Sequence, residues 1–333
     1  MRRVALLLTA ALLLAAPPAR AAAGCEIQGA ERVVAVGDVH GAYDALVGIL
    51  RAAGVIDEKQ KWIGGRTHLV QLGDVVDRGP DSRKALDLLR RLEKEASRAK
   101  GAVHALLGNH EVMWMLGDLR YVSAAEYASF TTKDSEELRE RLLERAKPEA
   151  RDQLRSQTPL GYVELNLAFA RDGDYGKWLR GHDAVVKIDG VLFLHGGISP
   201  AVAAMPCAEI NAQVRREIGE QLQETRQAPL KSLAGREDGP LWYRGLAQEP
   251  DSFQPELEKI LQAQGARAIV IAHTPAPGGR IRSRFDGRVL QIDTGMLSSY
   301  VPDGRASALE IKGGKLTAIY ADRRDALPEP ARE

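Results

Sequence analysis

Gly73-Asp74-Val75-Val76-Asp77-Arg78-Gly79 is the stretch whose reading decides the fold. It follows an apolar run of strand length, Thr67 to Leu72, and precedes Pro80-Asp81-Ser82, a helix-start signal. Two carboxylates and a guanidinium therefore occupy the loop at the C-terminal end of a predicted parallel strand, where open α/β sheets place their ligands. Asp74 suits a metal ion, and Arg78 suits a bidentate grip on an anion.

Upstream, the β-branched run Arg32 to Val36 ends at Gly37-Asp38-Val39-His40-Gly41, and a helical pattern with Leu46, Ile49 and Leu50 on one face follows. Downstream, a helix carrying Leu86, Leu89 and Leu92 leads to the strand pattern Ala102 to Leu107, which ends at Gly108-Asn109-His110-Glu111. Strand, loop and helix repeat, the pattern of a parallel sheet with crossover helices. Residues 112–180 read as helical, with a charged helix expected from Glu136 to Arg155, and they are the most aromatic part of the chain. Most of these aromatics are expected to pack inward; a lid over a site is the other reading. Strand patterns return at Ala184 to Ile188 and Val191 to Leu194, a hairpin turning at Asp189-Gly190 that feeds His195-Gly196-Gly197-Ile198-Ser199-Pro200. A charged helical region spans 209–227, before Trp242-Tyr243-Arg244-Gly245. Ala268 to Ala272 ends at His273-Thr274-Pro275, and two hairpins turning at Asp286-Gly287 and Gly313-Gly314 flank Asp293-Thr294-Gly295.

The composition, 44% hydrophobic and 27% charged over 333 residues, allows a large core, read here as one catalytic domain over 24–326 with a disordered tail at 327–333. A net charge of +1 leaves no electrostatic footprint for nucleic acid. At the N-terminus, Arg2 and Arg3 precede the apolar run Val4 to Ala16 and the small residues Ala21-Ala22-Ala23, the pattern of a cleavable signal peptide over 1–23. The run is too short for a comfortable bilayer span, so no membrane span is expected. Losing Arg2, Arg3 and Arg20 would bring the charge to about −2. The destination is the periplasm or the medium. There Cys25 and Cys207 can pair as a disulfide, with two free thiols the alternative. Lipoprotein anchoring at Cys25 is disfavoured, because Ala22-Ala23-Gly24 lack the usual Leu.

Five strand ends thus deliver Asp38 with His40, Asp74 with Asp77 and Arg78, Asn109 with His110, then His195, then His273. Carboxylate, imidazole and amide oxygen suit two borderline-to-hard divalent cations, and the absence of paired thiolates argues against a zinc finger. One carboxylate reaching both ions would hold them about 3.5–4 Å apart, as in two-metal phosphoester hydrolysis. Each loop alone is equally well a turn or a capped histidine; their joint order carries the inference.

These motifs resemble the phosphoprotein phosphatase family of the calcineurin-like metallophosphoesterases. Gly37–Gly41, Gly73–Gly79 and Gly108–Glu111 look like its three signature motifs. His-Gly-Gly-Ile-Ser-Pro, Trp-Tyr-Arg-Gly and Ala-His-Thr-Pro are similar to the bacterial Shewanella-like protein phosphatases in particular. The resemblance runs from Val33 to Gly295 and implies an α/β fold, an αββα sandwich with a dimetal site at the C-terminal strand ends. It implies that Asp38 and His40 bind one ion, that Asp74 bridges, and that Asn109, His195 and His273 complete the other. Arg78 and Arg244, with Asn109, would bind the phosphate; His110 would be the general acid, oriented by Asp77, with Glu111 in support. Attack by a metal-bridging hydroxide then follows. Mn is the expected metal, with Fe or Zn the alternatives. The chain departs from the eukaryotic members in carrying Asp293-Thr294-Gly295-Met296 where they have a loop rich in acids and aromatics, and in a longer segment between Glu111 and His195. His68, His104 and His182 are read as structural.

The expected activity is hydrolysis of phosphoprotein or phosphopeptide esters, phosphotyrosine favoured over phosphoserine or phosphothreonine. The competing readings are a phosphoesterase acting on nucleotides or dinucleoside polyphosphates, and a metal-binding protein without turnover.

Overall fold

Arg32–Val36 and the apolar run ahead of Gly73 form neighbouring parallel strands in a computed structural model of the protein, which describes residues 24–221 and 231–329. The strands, in chain order, are β1 Glu26–Ile27, β2 Arg32–Val36, β3 His68–Gln71, β4 Ala102–Ala105, β5 Val185–Ile188, β6 Val191–Leu194, β7 Ala268–Ile271, β8 Arg282–Arg284, β9 Val289–Gln291, β10 Ser307–Lys312, β11 Lys315–Tyr320 and β12 Arg324–Leu327. They make two six-stranded sheets, ordered β12-β11-β10-β2-β3-β4 and β1-β5-β6-β7-β9-β8. Each contains three parallel strands: β2-β3-β4 at one edge of the first, with antiparallel β10 beside β2, and β6-β7-β9 at the centre of the second, with antiparallel β5 and β8 on either side.

The strand–loop–helix repeat predicts parallel strands, and β2, β3 and β4 are parallel; they belong to one of two mixed sheets, as the αββα architecture requires. Periodicity reports which residues are buried, not which sheet a strand joins. Alternation along the strands explains the layering. Val33, Ala35, Val70, Phe193, Val270 and Leu309 fill the space between the sheets. Their neighbours Val34, Val36, Leu69, Leu192 and Ile269 face outward and pack with helix residues such as Leu46, Leu50, Leu86, Leu89 and Ile260.

The 112–180 segment carries the chain from one sheet to the other in short helices, including Ser135–Glu144, Arg151–Gln157, Tyr162–Phe169 and Asp174–Leu179. The single helix expected from Glu136 to Arg155 is two, separated by a 3-10 turn that starts at Pro148, whose missing N–H cannot continue the ladder. Phe130, Phe169 and Tyr175 are buried with Trp114, the Trp114 and Phe169 rings meeting edge to face at 4.7 Å. Cys25 and Cys207 form a buried disulfide, Cα atoms 6.1 Å apart, tying the edge strand β1 to the helix Cys207–Arg216. The 209–227 helical expectation is partly met by that helix and a π-helical turn at Glu217–Gln221; the rest lies outside the described residues, as do the signal segment 1–23 and 330–333. Leu327, placed in the tail by the sequence reading, closes β12, paired with Leu316. No helix among the described residues is long and apolar enough to cross a membrane.

Candidate active site

The parallel strands of both sheets end at the same place. Asp38, Asp74 and Asn109 follow β2, β3 and β4, while His195, His273 and Asp293 follow β6, β7 and β9. All six are buried, and with Arg78, His110, Arg244, Tyr121 and Tyr300 they surround a cavity of about 140 Å³, His195 lying beneath it.

The loops reach this geometry at a local cost. His40, Asp74, Asp77, Arg78 and His273 all take left-handed backbone, with φ of 48°, 53°, 74°, 70° and 64°. Non-glycine residues seldom sit there, and such strain clusters where function over-determines the chain. Gly73 permits the turn, since a Cβ on it would run into the backbone N of Gly108. Glu111 holds the two loops together: its carboxylate accepts the backbone N–H groups of Asp74, Val75, Val76 and Gly108 at 2.8, 2.7, 3.3 and 2.8 Å.

Within the cavity, Asp74 is central. One of its oxygens accepts the backbone N–H of His110 at 3.0 Å; the other lies 3.2 Å from His195 Nε2 and 3.8 Å from both His40 Nε2 and His110 Nε2. His195 Nε2 is also 2.9 Å from Asn109 Oδ1 and 3.1 Å from His273 Nδ1, while its Nδ1 hydrogen-bonds the carbonyl of Leu72 at 2.8 Å. His40 Nδ1 is held by the carbonyl of Val76 at 2.9 Å, and Asp38 Oδ2 lies 3.8 Å from His40 Nε2. These backbone carbonyls fix the outer ring nitrogens and turn the inner ones to the cavity, as in histidine metal ligands. Burial holds the His40 imidazole down to about 3 and that of His273 to about 2, so both are neutral donors.

The donor set fits two cations. Among the described residues, two buried clusters could each hold one, His40–Asp74–His110 and Asp74–His195–His273, and Asp74 belongs to both. His273 Nε2 is buried without a partner. Burial and the neighbouring Asp293 and Asp74 carboxylates push the Asp38 carboxyl well up; burial also lifts Asp293 to about 6. That crowding of acids is what a cation relieves. The first cluster contains His110 where the sequence reading has Asp38. His110 is otherwise engaged, with Nδ1 2.5 Å from Asp77 Oδ2 and Nε2 accepting from Arg78 Nη2 at 3.3 Å, which leaves Asp38 the freer donor.

Asp77 is clamped from its other oxygen by Trp114 Nε1 at 2.6 Å. Burial alone would lower the His110 imidazole, but the Asp74 and Asp77 carboxylates outweigh it and hold it above its ordinary value. Arg244 rests its Nη1 on the carbonyl of His273 at 2.9 Å and on Thr274 Oγ1 at 3.0 Å. Every site residue expected from sequence therefore lies at this one place. His68 and His104 do not: they hydrogen-bond each other at 3.0 Å between the sheets. Asp293, Tyr121, Tyr300 and the Trp114 N–H were not singled out as site groups. Asp293 could have been, since like Asp38 it lies two residues beyond a strand, with a glycine close by.

Two sheets whose strand ends converge on buried carboxylates and imidazoles, with arginines at the rim, define a metal-dependent phosphoesterase. The family model for calcineurin-like phosphoesterases matches residues 31–277, and the chain belongs to that family. Among relatives, it is 30% identical to Shewanella-like protein phosphatase 2 of Arabidopsis thaliana, over 85% of this chain and 75% of the relative. It is 28% identical to Shewanella-like protein phosphatase 1 of Plasmodium berghei, over 80% and 67%. Among solved structures it is similar to the cold-active protein-tyrosine phosphatase of a psychrophilic Shewanella species, with a TM-score of 0.72 and 28% identity over 91% of this chain and 82% of that one.

Proposed function

We propose that the chain is an exported phosphomonoesterase that uses two divalent cations, Mn in the first instance, to hydrolyse phosphoprotein or phosphopeptide esters, phosphotyrosine in particular. The observation that carries this reading is the convergence of strand ends from both sheets on Asp74, with Arg78 and Arg244 at the cavity and His110 held against Asp77. When bound, the cations would neutralise phosphoryl charge and lower the pKa of a water molecule.

Asp38 and His40 would hold one cation and Asn109, His195 and His273 the other, with Asp74 placed among both sets of donors. Arg78 and Arg244 meet the charge that develops on the non-bridging phosphate oxygens, with Asn109 beside them. His110 gives a proton from Nε2 to the leaving phenoxide or alkoxide, and Asp77 orients the ring and stabilises its charged form. Arg78 donates to that same Nε2 in the free protein. A bound phosphate would draw the guanidinium away, and Nε2 would then take up from solvent the proton that it gives to the leaving oxygen.

Protein substrates, and tyrosine among them, are supported by the names of the similar phosphatases. Export is supported by the buried disulfide, which persists in oxidising compartments. The test compares kcat/KM on a phosphotyrosine peptide, a matched phosphoserine peptide and a dinucleoside polyphosphate, with metal content measured by mass spectrometry. Preference for the dinucleoside polyphosphate would overturn the substrate assignment, and absence of turnover with two bound metals would leave a binding protein.

A further inference from the structure

We infer that Tyr121 and Tyr300 form an aromatic clamp at the cavity mouth that recognises the aryl group of the substrate ester; this deepens the phosphomonoesterase reading above and rests on it. Large apolar side chains are mostly hidden in this protein, yet Tyr121 and Tyr300 are 43% and 44% exposed and both border the cavity. They come from loops far apart in sequence, one after the Asn109–Met115 helix and the other after Asp293. Both are placed against the groups that handle phosphate. The Arg78 guanidinium lies 3.7 Å from the Tyr300 ring centroid and 5.1 Å from that of Tyr121. Tyr121 is 5.3 Å from the His110 ring, and Tyr300 is 5.8 Å from the His40 ring, edge to face. Tyr121 is pinned further by its carbonyl, which accepts the backbone N–H of Arg78 at 3.0 Å.

A phosphate gripped by Arg78, with its leaving oxygen at His110, must send its ester group out past these rings. A phenyl ester presents a flat face to them. An alkyl ester such as phosphoserine has a single methylene before the peptide backbone, which would be brought down onto the rim. When Arg78 turns to the phosphate it also leaves the Tyr300 face open to a substrate ring, so cation–π contact in the free protein is exchanged for ring–ring contact in the complex.

The experiment uses the metal-loaded full chain and its Tyr300→Leu, Tyr121→Leu, Tyr300→Phe and Tyr121→Phe variants, with phenyl phosphate against glycerol phosphate, and phenylphosphonate against methylphosphonate in calorimetric binding. The expected result is a fall of roughly three- to ten-fold in the aryl-to-alkyl ratio of kcat/KM, carried by KM, in each Leu variant. The phosphonate affinity ratio should fall in parallel, and both Phe variants should retain the wild-type ratios. An unchanged ratio, with aryl and alkyl rates falling together, would overturn the clamp and leave the rings as supports for Arg78. Phe variants as impaired as Leu variants would overturn it too. Because small phosphates are used, a protein that ignores phosphopeptides but shows these ratios keeps the clamp while losing the peptide assignment.

Discussion

His110 Nδ1 lies 2.5 Å from a carboxylate oxygen of Asp77, and its Nε2 faces Arg78 Nη2 at 3.3 Å. The ring is thus held from behind by an acid and from the front by a base-insensitive cation. For a general acid this arrangement has a measurable signature. His110→Ala is expected to lower kcat by about 10²–10⁴ on phenyl or tyrosine phosphate, with a smaller loss on an aryl phosphate whose leaving group needs no proton. Metal content, read by mass spectrometry, should be retained. Unchanged kcat on tyrosine phosphate would remove His110 from that role.

Asp74 touches both donor clusters, so its loss should act differently. Asp74→Ala is expected to bind fewer than two cations per chain and to lose turnover with them. A variant that still holds two tightly bound cations would show that Asp74 is not shared.

Glu111 accepts four backbone N–H groups from two loops while being buried from solvent. A neutral amide cannot accept all four. Glu111→Gln should destabilise the fold by about 1.5–3 kcal/mol, the range for hydrogen bonds to charged groups. Urea unfolding of metal-free protein isolates this effect from metal binding, and an unshifted midpoint would contradict it.

The Cys25–Cys207 disulfide joins residues 182 apart. Closing so long a loop restricts the unfolded chain by up to about 5 kcal/mol in the entropic model, and removing native bridges commonly costs about 2–5 kcal/mol. Replacing both cysteines by serine should lower the urea midpoint accordingly with metal content unchanged. A loss below about 1 kcal/mol would mean that β1 docks without the bridge.

Burial first, and the neighbouring His68 second, push the His104 imidazole down to about 4. An unfolded histidine titrates near about 6.5, so between these values the unfolded chain binds the extra proton. The stability from neutral His104 is therefore complete above about pH 6.5 and is lost as pH falls to about 4. Allowing for partial exposure, the loss is about 2–3 kcal/mol. Unfolding by urea at pH 7 and pH 4.5 should show a smaller acid penalty for His104→Gln than for wild type. Equal penalties would place the sensitivity elsewhere.

Much of this is legible in the sequence. The runs ending at Gly37, Gly73 and Gly108 and those ending at His195 and His273 are strands or directly follow strands, because alternation and β-branching are written within five or six residues. Pro148 is just as local, and its missing N–H divides the helical pattern of Glu136 to Arg155 into two helices. Tyr300 is another matter. Its neighbours in the chain say little, and it reaches the site through the pairing of β7 with β9 and the loop beyond it.

The sequence by itself determined the chemistry on offer: carboxylates, imidazoles, an amide and two arginines, most of them beside a glycine that lets the backbone turn. Such information is short-range, and a single strand end contains it. Only the tertiary structure decided that strands of two sheets point their ends at one cavity, that Asp74 stands among four imidazoles, and that Tyr121 and Tyr300 enclose Arg78. Those relations depend on how the sheets pack across a shared apolar layer, which many residues far apart in the chain set together.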